Sequence, residues 1–239
     1  MILPIALAWA VLGFGAAARQ VPAAPTLDSV LKKMDVVAAR FTTAQADFEW
    51  DHYQRVIEEV VDIQTGVISY RRTGNNVEMM AEIRRDGTSL KEMKWQPKYV
   101  LFHDDKFQIY EPATNHLTVY NLGKDNSEFE TYLVLGFGAS GQDLVKQFDV
   151  TFLGPETVQG VSTAELQLVP KSEKVRNNFK QIILWIDLER GISVQQKLIT
   201  PEDDYRLATY SAIKLNVPIK NEVFQLKTNK KTQTTAPKG

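Results

Sequence analysis

The chain has 239 residues, of which 44% are hydrophobic, so it can form one large domain with a substantial core. Its formal net charge of −1 provides no basic surface for nucleic acid. It contains no cysteine, which excludes disulfides, thiol catalysis, zinc sites built on cysteine and lipid attachment to an N-terminal cysteine.

Residues 1–25 have the composition of a secretory signal peptide. An apolar run, MILPIALAWAVLGFGAAA, leads into small residues that suit a signal peptidase, and Ala23 and Ala24 offer a second cleavage position. The basic region that usually precedes such a run is missing. An uncleaved membrane anchor is the alternative, although the run is short for a membrane span. We therefore expect a cleaved signal peptide at residues 1–25 and a single exported domain at residues 26–228.

The domain is predicted to begin with a helix. Thr26 is a suitable N-cap, and Asp28 in the first turn favours the helix dipole. Apolar residues then recur at the spacing that one helix face requires. They are Leu27, Val30, Leu31, Met34, Val37, Ala38 and Phe41. Such a stripe predicts that the helix covers the apolar face of a sheet.

From residue 45 to residue 120 the chain mostly alternates apolar and polar residues, which indicates strands with one covered face. The predicted strands are 46–50, 56–72, 77–84, 99–102, 107–110 and 117–120. Glycine, asparagine and aspartate predict turns at 73–76, at Asp86-Gly87, at 104–106 and at 112–115.

The pattern changes between residues 128 and 148. Residues 128–135 are predicted to form a helix, and Ser140 is predicted to cap a second short helix at 141–148. The glycine-rich segment 136–141 between them lacks the spacing of a nucleotide-binding loop. We interpret it as a hinge or loop.

A second meander is predicted from residue 150 onward. Its strands are 150–153, 166–168, 182–186, 192–198 and 205–207, with turns at 159–160, 188–191 and 201–204. Residues 223–226 form one more strand-like run, and the polar, basic residues 229–239 are predicted to be disordered. The total of ten or eleven strands predicts a sheet large enough to curl, with a concave interior that a helix can plug or a ligand can fill.

The polar residues do not predict catalysis or a metal site. His52, His103 and His116 are far apart in sequence, which favours surface positions over metal ligation. The adjacent carboxylates at 58–59, 104–105 and 203–204 would point to opposite faces of a strand and not converge. No serine, histidine and aspartate pattern with a nucleophile elbow is present. We therefore predict a protein that is not an enzyme and has no metal.

A set of short motifs resembles the LolA-type outer-membrane lipoprotein carrier proteins over residues 27–230. Their order and spacing carry the resemblance, since each motif is weak alone. After the early helix they are Gly66 with Tyr70-Arg71-Arg72, then 105–112, 168–171, 179–181, 186–191 and Phe224. Residues 133–138 and 171–181 resemble a LolA-like branch of lipoprotein-sorting proteins.

The resemblance implies a fold that is mainly β with some α: a curled antiparallel sheet forming an unclosed β-barrel, with the N-terminal helix and short inserted helices as a lid. It implies a monomeric periplasmic carrier with no cofactor. Such a carrier receives acylated lipoproteins from an inner-membrane LolCDE-type ABC transporter and delivers them to the outer membrane, in some bacteria through a LolB-type receptor. Acyl chains need shielding because each methylene in water costs about 0.8 kcal/mol.

The resemblance also assigns a role to Arg72, because an arginine at this place in the family ties the lid to the barrel. In the family a proline follows, whereas Thr73 follows here, so Arg71 is the alternative. Alternation puts Ile68, Tyr70 and Arg72 on one face, which favours Arg72. The predicted lipid-binding residues of cavity and lid are Arg72, Tyr70, Ile68, Phe48, Trp50, Val77, Met79, Ile83, Leu31 and Met34.

Three other functions fit parts of the same pattern. A periplasmic sensor on the same fold would bind lipid as a signal. A lipid hydrolase would need a nucleophile with a base. A structural envelope protein would have a filled core, and core and cavity lining cannot be told apart in a sequence.

Overall fold

The computed structural model describes residues 24–74, 76–122, 135 and 137–237. Its helices are α1 (Leu27–Ala38), α2 (Gly141–Gln147) and α3 (Glu173–Arg176), with a 3₁₀ turn at Asn221–Phe224. Its strands are β1 (Thr43–Gln54), β2 (Glu59–Thr73), β3 (Asn76–Gly87), β4 (Lys94–His103), β5 (Lys106–Glu111), β6 (His116–Asn121), β7 (Phe148–Val158), β8 (Val161–Pro170), β9 (Gln181–Asp187), β10 (Ser193–Ile199), β11 (Tyr205–Leu215) and β12 (Gln233–Thr235). The predicted signal peptide, apart from residues 24 and 25, and the predicted helix at 128–135, apart from Leu135, lie outside the described residues.

The predicted first helix is confirmed, and its start is well defined. The Thr26 hydroxyl accepts the Ser29 N–H at 3.3 Å, and the Ser29 hydroxyl accepts the Thr26 N–H at 2.9 Å, so two free donors of the first turn are satisfied. The helix ends at Ala38, and Phe41 follows it in the connector to β1. Ser140 also caps α2 as predicted, by accepting the Asp143 N–H at 3.0 Å.

All twelve strands belong to one sheet, in the order β12-β6-β5-β4-β3-β2-β1-β11-β10-β9-β8-β7. Neighbouring strands are antiparallel except β12 and β6, which are parallel. The pairing of β1 with β11 joins the two predicted meanders into one sheet. β7 and β12 are its two edges, so the sheet does not close into a barrel. The predicted fold class is confirmed.

Four local predictions differ from the structure. Residues 55–58 form a turn with Glu58 at a φ of 57°, so β2 begins at Glu59 and not at 56. Asp86 and Gly87 pair with β2, because the β3–β4 turn lies later, at 88–93. Residues 221–224 form a 3₁₀ turn where a strand-like run was predicted at 223–226.

The fourth difference concerns the C-terminal residues. Where the sequence predicts a disordered tail, Gln233–Thr235 form β12 and pair with β6. We call residues 216–237 the strap, because they run from the end of β11 across the sheet to its opposite part at β6. This pairing gives hydrogen-bond partners to backbone N–H and C=O groups on the otherwise open edge of β6. Composition alone could not predict that partner for the C-terminal residues.

Apolar residues cover one face of the sheet, here called the inner face. The row Ala46, Ile68, Ala81, Val100 and Ile109 is in register across β1 to β5. On the other side of β1, Ala208 is in register with Leu184 through Gln196. The inner face therefore continues across both meanders, as one covered surface.

Two apolar clusters share this inner face. The inner cluster contains the buried residues Phe41, Ala44, Ala46, Phe48, Ile68, Tyr70, Met79, Ala81, Ile83, Val100, Phe102, Phe137, Ala208 and Tyr210. The helix-side cluster contains Val30, Met34, Leu135, Ala139, Leu144, Phe148, Ala164, Leu166, Leu168, Ile182, Leu184 and Ile186. α1 is thus packed mainly over β8 and β9. A third, outer cluster on the opposite face joins Met80 and Leu101 to Phe224 of the strap.

Candidate functional site

The structure places the ten predicted site residues on the inner face or at its rim, but in two groups. Phe48, Ile68, Tyr70, Met79 and Ile83 are buried in the inner cluster, and Trp50 packs against it. Met34 is buried in the helix-side cluster, with Leu31 and Val77 packed against that cluster. Arg72 is half-buried at the end of β2. The predicted set is therefore divided between the inner cluster and the helix-side cluster and does not form one patch.

Two side chains from outside the sheet fill the inner cluster. Phe41 comes from the α1–β1 connector, and Phe137 comes from the segment before α2. The Phe137 ring lies 5.2 Å from Tyr70 and 4.8 Å from Tyr210, edge-on to the latter. Sequence reasoning missed Phe137, although an aromatic residue between two glycines was the available signal. We call α1, its connector 39–42 and residues 137–147 the lid.

The interior under the lid is filled in this conformation. Phe48, Ile68, Tyr70, Met79 and Ile83 each retain between 1% and 5% of their accessible surface. A side chain that lined an empty space of acyl-chain size would retain much more. Three pockets of about 620, 330 and 290 Å³ lie elsewhere, beside α1, under the strap and near the start of β3.

Arg72 connects the sheet to both ends of the lid. Its Nη2 donates to the Gly138 carbonyl at 2.9 Å, and its Nη1 makes a longer contact of 3.5 Å with the Ala38 carbonyl. Its guanidinium lies 5.4 Å from the centre of the Phe41 ring. Desolvation lowers the pKa of Arg72, and the nearby Asp143 carboxylate acts in the opposite direction. A charged donor in this half-buried place can bind directionally to backbone carbonyls that a closed lid presents.

Arg71 faces the opposite side of the sheet. Its Nε donates to Glu78 at 2.5 Å and its Nη1 to the Asn221 side chain at 2.6 Å, while its guanidinium lies 4.4 Å over the Phe224 ring. Burial raises the pKa of Glu78, but Arg71 and His103 together lower it by more than burial raises it. The pKa of Glu78 is therefore below its usual value. Arg71 therefore ties the strap, and Arg72 is the one of the pair that contacts the lid.

Close backbone contacts hold the two lid helices together. A Cβ at Gly141 would lie 2.5 Å from the Leu31 carbonyl oxygen, so only glycine fits where α2 meets α1. The Asp35 carboxylate accepts the Gln142 N–H at 3.1 Å across the same crossing. On the other flank of α1, Lys33 donates to the Leu188 carbonyl at 2.5 Å. The lid is held by these few polar contacts at its rim, together with apolar packing beneath it.

The interior contains two buried hydroxyls. Burial raises the pKa of Tyr70 well above its usual value and also raises that of Tyr210. The neighbouring Tyr210 also raises the pKa of Tyr70, whereas Trp50 and Tyr70 act to lower that of Tyr210. Both hydroxyls thus lie in a largely apolar space, since both tyrosines belong to the inner cluster.

The described residues contain no cluster suited to a metal. His52, His103 and His116 lie on β1, β4 and β6, and no three histidine, cysteine or acidic side chains within the described ranges come close enough together to ligate an ion. Among the described residues the longest helix is α1, with twelve residues. No helix in this part of the chain has the length and hydropathy of a membrane span.

No protein-family model matches the sequence, and no curated protein sequence matches it significantly. The structure is similar to that of an uncharacterized conserved protein from Thermus thermophilus, with a TM-score of 0.51 and 11% identity, over 88% of this chain and 96% of that chain. It also matches a putative outer membrane lipoprotein-sorting protein domain from Vibrio parahaemolyticus, with a TM-score of 0.43 and 10% identity, over 83% of this chain and 97% of that chain. A third match is a LolA superfamily protein from Nitrosomonas europaea, with a TM-score of 0.39 and 12% identity, over 85% of this chain and 99% of that chain.

At such low sequence identity a structural similarity indicates a shared fold and not a shared function. The chain thus shares the open-sheet fold of the Thermus thermophilus protein over most of the length of both.

Proposed function

We propose that this protein is a periplasmic carrier that binds the acyl chains of lipoproteins on the inner face of its sheet and moves them from the inner to the outer membrane. One observation carries the proposal: the apolar inner face is covered by a lid, and a half-buried arginine of the sheet, Arg72, donates a hydrogen bond to a backbone carbonyl of that lid. The proposed partners are those of the LolA-type carriers, a LolCDE-type transporter and a LolB-type receptor.

In the proposed mechanism the lid moves and takes its own aromatic side chains with it. Displacement of the lid would withdraw Phe41 and Phe137 from the inner cluster and uncover Tyr70, Met79 and Ile68. Acyl methylenes would then replace the two rings, at about 0.8 kcal/mol for each methylene removed from water. The cavity of this carrier is therefore created by opening and does not need to exist beforehand.

Arg72 would set the balance between the empty and the loaded form. Its bond to the Gly138 carbonyl exists only while the lid is closed, so it favours the empty state. Cargo has to break this bond to enter, and the bond re-forms when cargo leaves. The free energy released on closing would help to expel the acyl chains at the acceptor membrane.

A second candidate is a structural envelope protein with a permanent core, which the filled interior favours. The two functions differ in whether the lid opens. Ligand binding distinguishes them, because a permanent core would exclude an acyl chain whatever its concentration.

The test is the binding of an environment-sensitive acyl probe to the purified protein. We expect the probe to bind, and to be displaced by a triacylated lipopeptide but not by the same peptide without acyl chains. Charged substitutions at Ile68 or Met79 are unsuitable, because both are buried so deeply that they would unfold the domain.

A lid variant sharpens this test. Phe137→Ala removes the ring that competes for the interior, so we expect tighter probe binding than in the wild type. Phe224→Ala is the matched control, since it removes an equally buried ring from the outer cluster on the opposite face. If neither the wild type nor Phe137→Ala binds the probe, the protein has a permanent core and the carrier proposal is wrong.

A further inference from the structure

Large apolar side chains are exposed at the end of the sheet opposite the lid. In the β1–β2 turn, Val56 is 93% exposed and Ile57 is 52% exposed. In the β3–β4 turn Leu90 is 61% exposed, and Trp95 at the start of β4 is 67% exposed. We call these four residues the hairpin tips.

The strand register brings the hairpin tips to one end of the molecule. Ile63 near the start of β2 pairs with Gly87 at the end of β3, so the two turns are neighbours. β5 ends at Glu111, while β4 pairs with it only as far as Tyr99, so Trp95 lies beyond the neighbouring strand. The two hairpins therefore project from the sheet with their apolar side chains outward.

These side chains do not serve the fold. Residues at a turn tip gain nothing from being apolar, because they pack against no core there. A group of exposed large apolar residues on a soluble surface marks an interaction site. Tryptophan in particular favours the boundary between water and the lipid headgroups.

The charge around Leu90 and Trp95 indicates the partner. The segment 84–98 carries five basic residues against two acidic ones, Asp86 and Glu92. The basic residues are Arg84, Arg85, Lys91, Lys94 and Lys98. Arg84 lies 3.2 Å from Glu82 and Lys98 lies 3.7 Å from Glu111, whereas the other three form no ion pair with described residues. Exposed cations beside exposed apolar side chains are the composition that binds an anionic bilayer.

The neighbouring turns have the opposite charge. The β1–β2 turn carries Arg55 and Glu58, Glu59 follows it at the start of β2, and the β10–β11 turn carries three acidic residues at 202–204. An anionic surface would therefore attract the β3–β4 hairpin most strongly and repel the β10–β11 turn. This asymmetry predicts a tilted orientation with Leu90 and Trp95 deepest.

We propose that the hairpin tips dock the protein on the surface of an anionic phospholipid bilayer. Trp95 and Leu90 enter the headgroup region, and Lys91 and Lys94 contact the lipid phosphates. The lid lies at the far end of the sheet and stays free. This proposal does not depend on acyl binding under the lid, because vesicles without lipoprotein test it.

The test is co-sedimentation of the purified protein with vesicles of phosphatidylcholine mixed with phosphatidylglycerol, compared with phosphatidylcholine alone. We expect binding to the mixed vesicles that weakens as salt is added. The double variant Leu90→Glu, Trp95→Glu should lower the partition coefficient at least tenfold. Leu153→Glu, at an exposed leucine on the edge strand β7, is the matched control and should bind like the wild type.

A second variant separates charge from apolar insertion. Lys91→Glu with Lys94→Glu should abolish the preference for phosphatidylglycerol and most of the salt dependence. Unchanged binding of the Leu90→Glu, Trp95→Glu variant, with thermal unfolding like that of the wild type, would overturn the proposal. So would a concentration-dependent dimer that this variant abolishes, since the occupant would then be a second copy of the chain.

Discussion

Arg71 and Arg72 are consecutive residues of β2, yet they stabilise different parts of the molecule. Because side chains alternate along a strand, Arg72 reaches the lid over the inner face and Arg71 reaches the strap on the outer face. The end of β2 thus anchors two covering segments at once. A substitution at one arginine should loosen one cover and leave the other in place.

The first prediction concerns Arg72→Leu. Leucine removes the donors to the Gly138 and Ala38 carbonyls but keeps apolar bulk. The loss of a charged hydrogen bond costs about 1.5 kcal/mol, so the open state should gain about tenfold in population. We expect the variant to accept acylated cargo but to release it slowly to outer-membrane vesicles. Arg72→Lys should be intermediate, because one ammonium cannot reproduce the planar fork.

Single cysteines can report this opening, since the chain has none of its own. Met79 and Met80 are equally buried, the first under the lid and the second under the strap. In the Arg72→Leu background, alkylation of Met79→Cys should be faster and that of Met80→Cys unchanged. Arg71→Leu should give the reverse. Equal rates at both positions in both backgrounds would remove the proposed role of Arg72.

At the level of elements, we expect the lid to move as one unit, because its two helices cross in close contact at a glycine. Gly141 lets the α2 backbone approach Leu31 of α1 closely, and the Asp35–Gln142 hydrogen bond crosses the same contact. The lid segments make hydrogen bonds with the rest of the molecule at Arg72, at Lys33 and at Lys171, whose ammonium donates to the Val145 carbonyl of α2 at 2.6 Å. Movement of α1 should therefore carry α2 and Phe137 with it.

The second prediction is that Gly141→Ala loosens the lid. The added methyl group meets the Leu31 backbone, which cannot turn aside as a side chain could, so overpacking costs about 1–3 kcal/mol. We expect faster alkylation of Met79→Cys and tighter acyl-probe binding, with little loss of sheet structure by circular dichroism.

The control for this variant is Gly160→Ala in the β7–β8 turn. Its φ of 80° makes alanine strained, but nothing lies within 4 Å of the new methyl group. It should lower the free energy of unfolding without changing the alkylation of Met79→Cys. If Gly141→Ala behaves in the same way, α2 is not part of a moving lid.

For the whole molecule, the buried tyrosines link stability to pH. Burial raises the pKa of Tyr70 and Tyr210, while in the unfolded chain both titrate near pH 10. Above that pH the unfolded state loses protons that the folded state keeps. The stabilisation is thus complete below about pH 10 and decreases as pH rises above it.

The third prediction follows from this sign. The free energy of unfolding should fall by about 1.4 kcal/mol per pH unit for each of the two tyrosines above about pH 10. Tyr99 and Tyr205, whose pKa values desolvation also raises, are only partly buried and should contribute less. Urea unfolding at several alkaline pH values measures the slope, and Tyr70→Phe should reduce it. A flat profile would mean that the interior hydroxyls reach water, and hence that the closed lid is not the main state.

Much of the fold could be predicted from the sequence because its signals are local. Alternating residues specify a strand, Thr26 and Ser140 specify helix starts, and glycine at 191 specifies a turn, all within a few neighbours. Alternation along β2 predicted that the Arg72 side chain lies on the same face as Ile68 and Tyr70. The contacts of Arg72 with Phe41 and Gly138 confirm that it does. These features depend on backbone geometry that each short segment carries with it.

Other features of the fold could not be predicted from the sequence, because they depend on contacts with residues distant in the chain. Asp86-Gly87 has the composition of a turn but pairs with β2, because the register of β2 against β3 overrides the local preference. β12 forms only because an open edge of β6 is available. Phe137 has a glycine-rich neighbourhood that indicates a loop, yet its ring packs between Tyr70 and Tyr210. Alternation could say which residues face inward, but only the packing of the lid decided that this interior is filled, because filling depends on side chains brought from elsewhere in the chain.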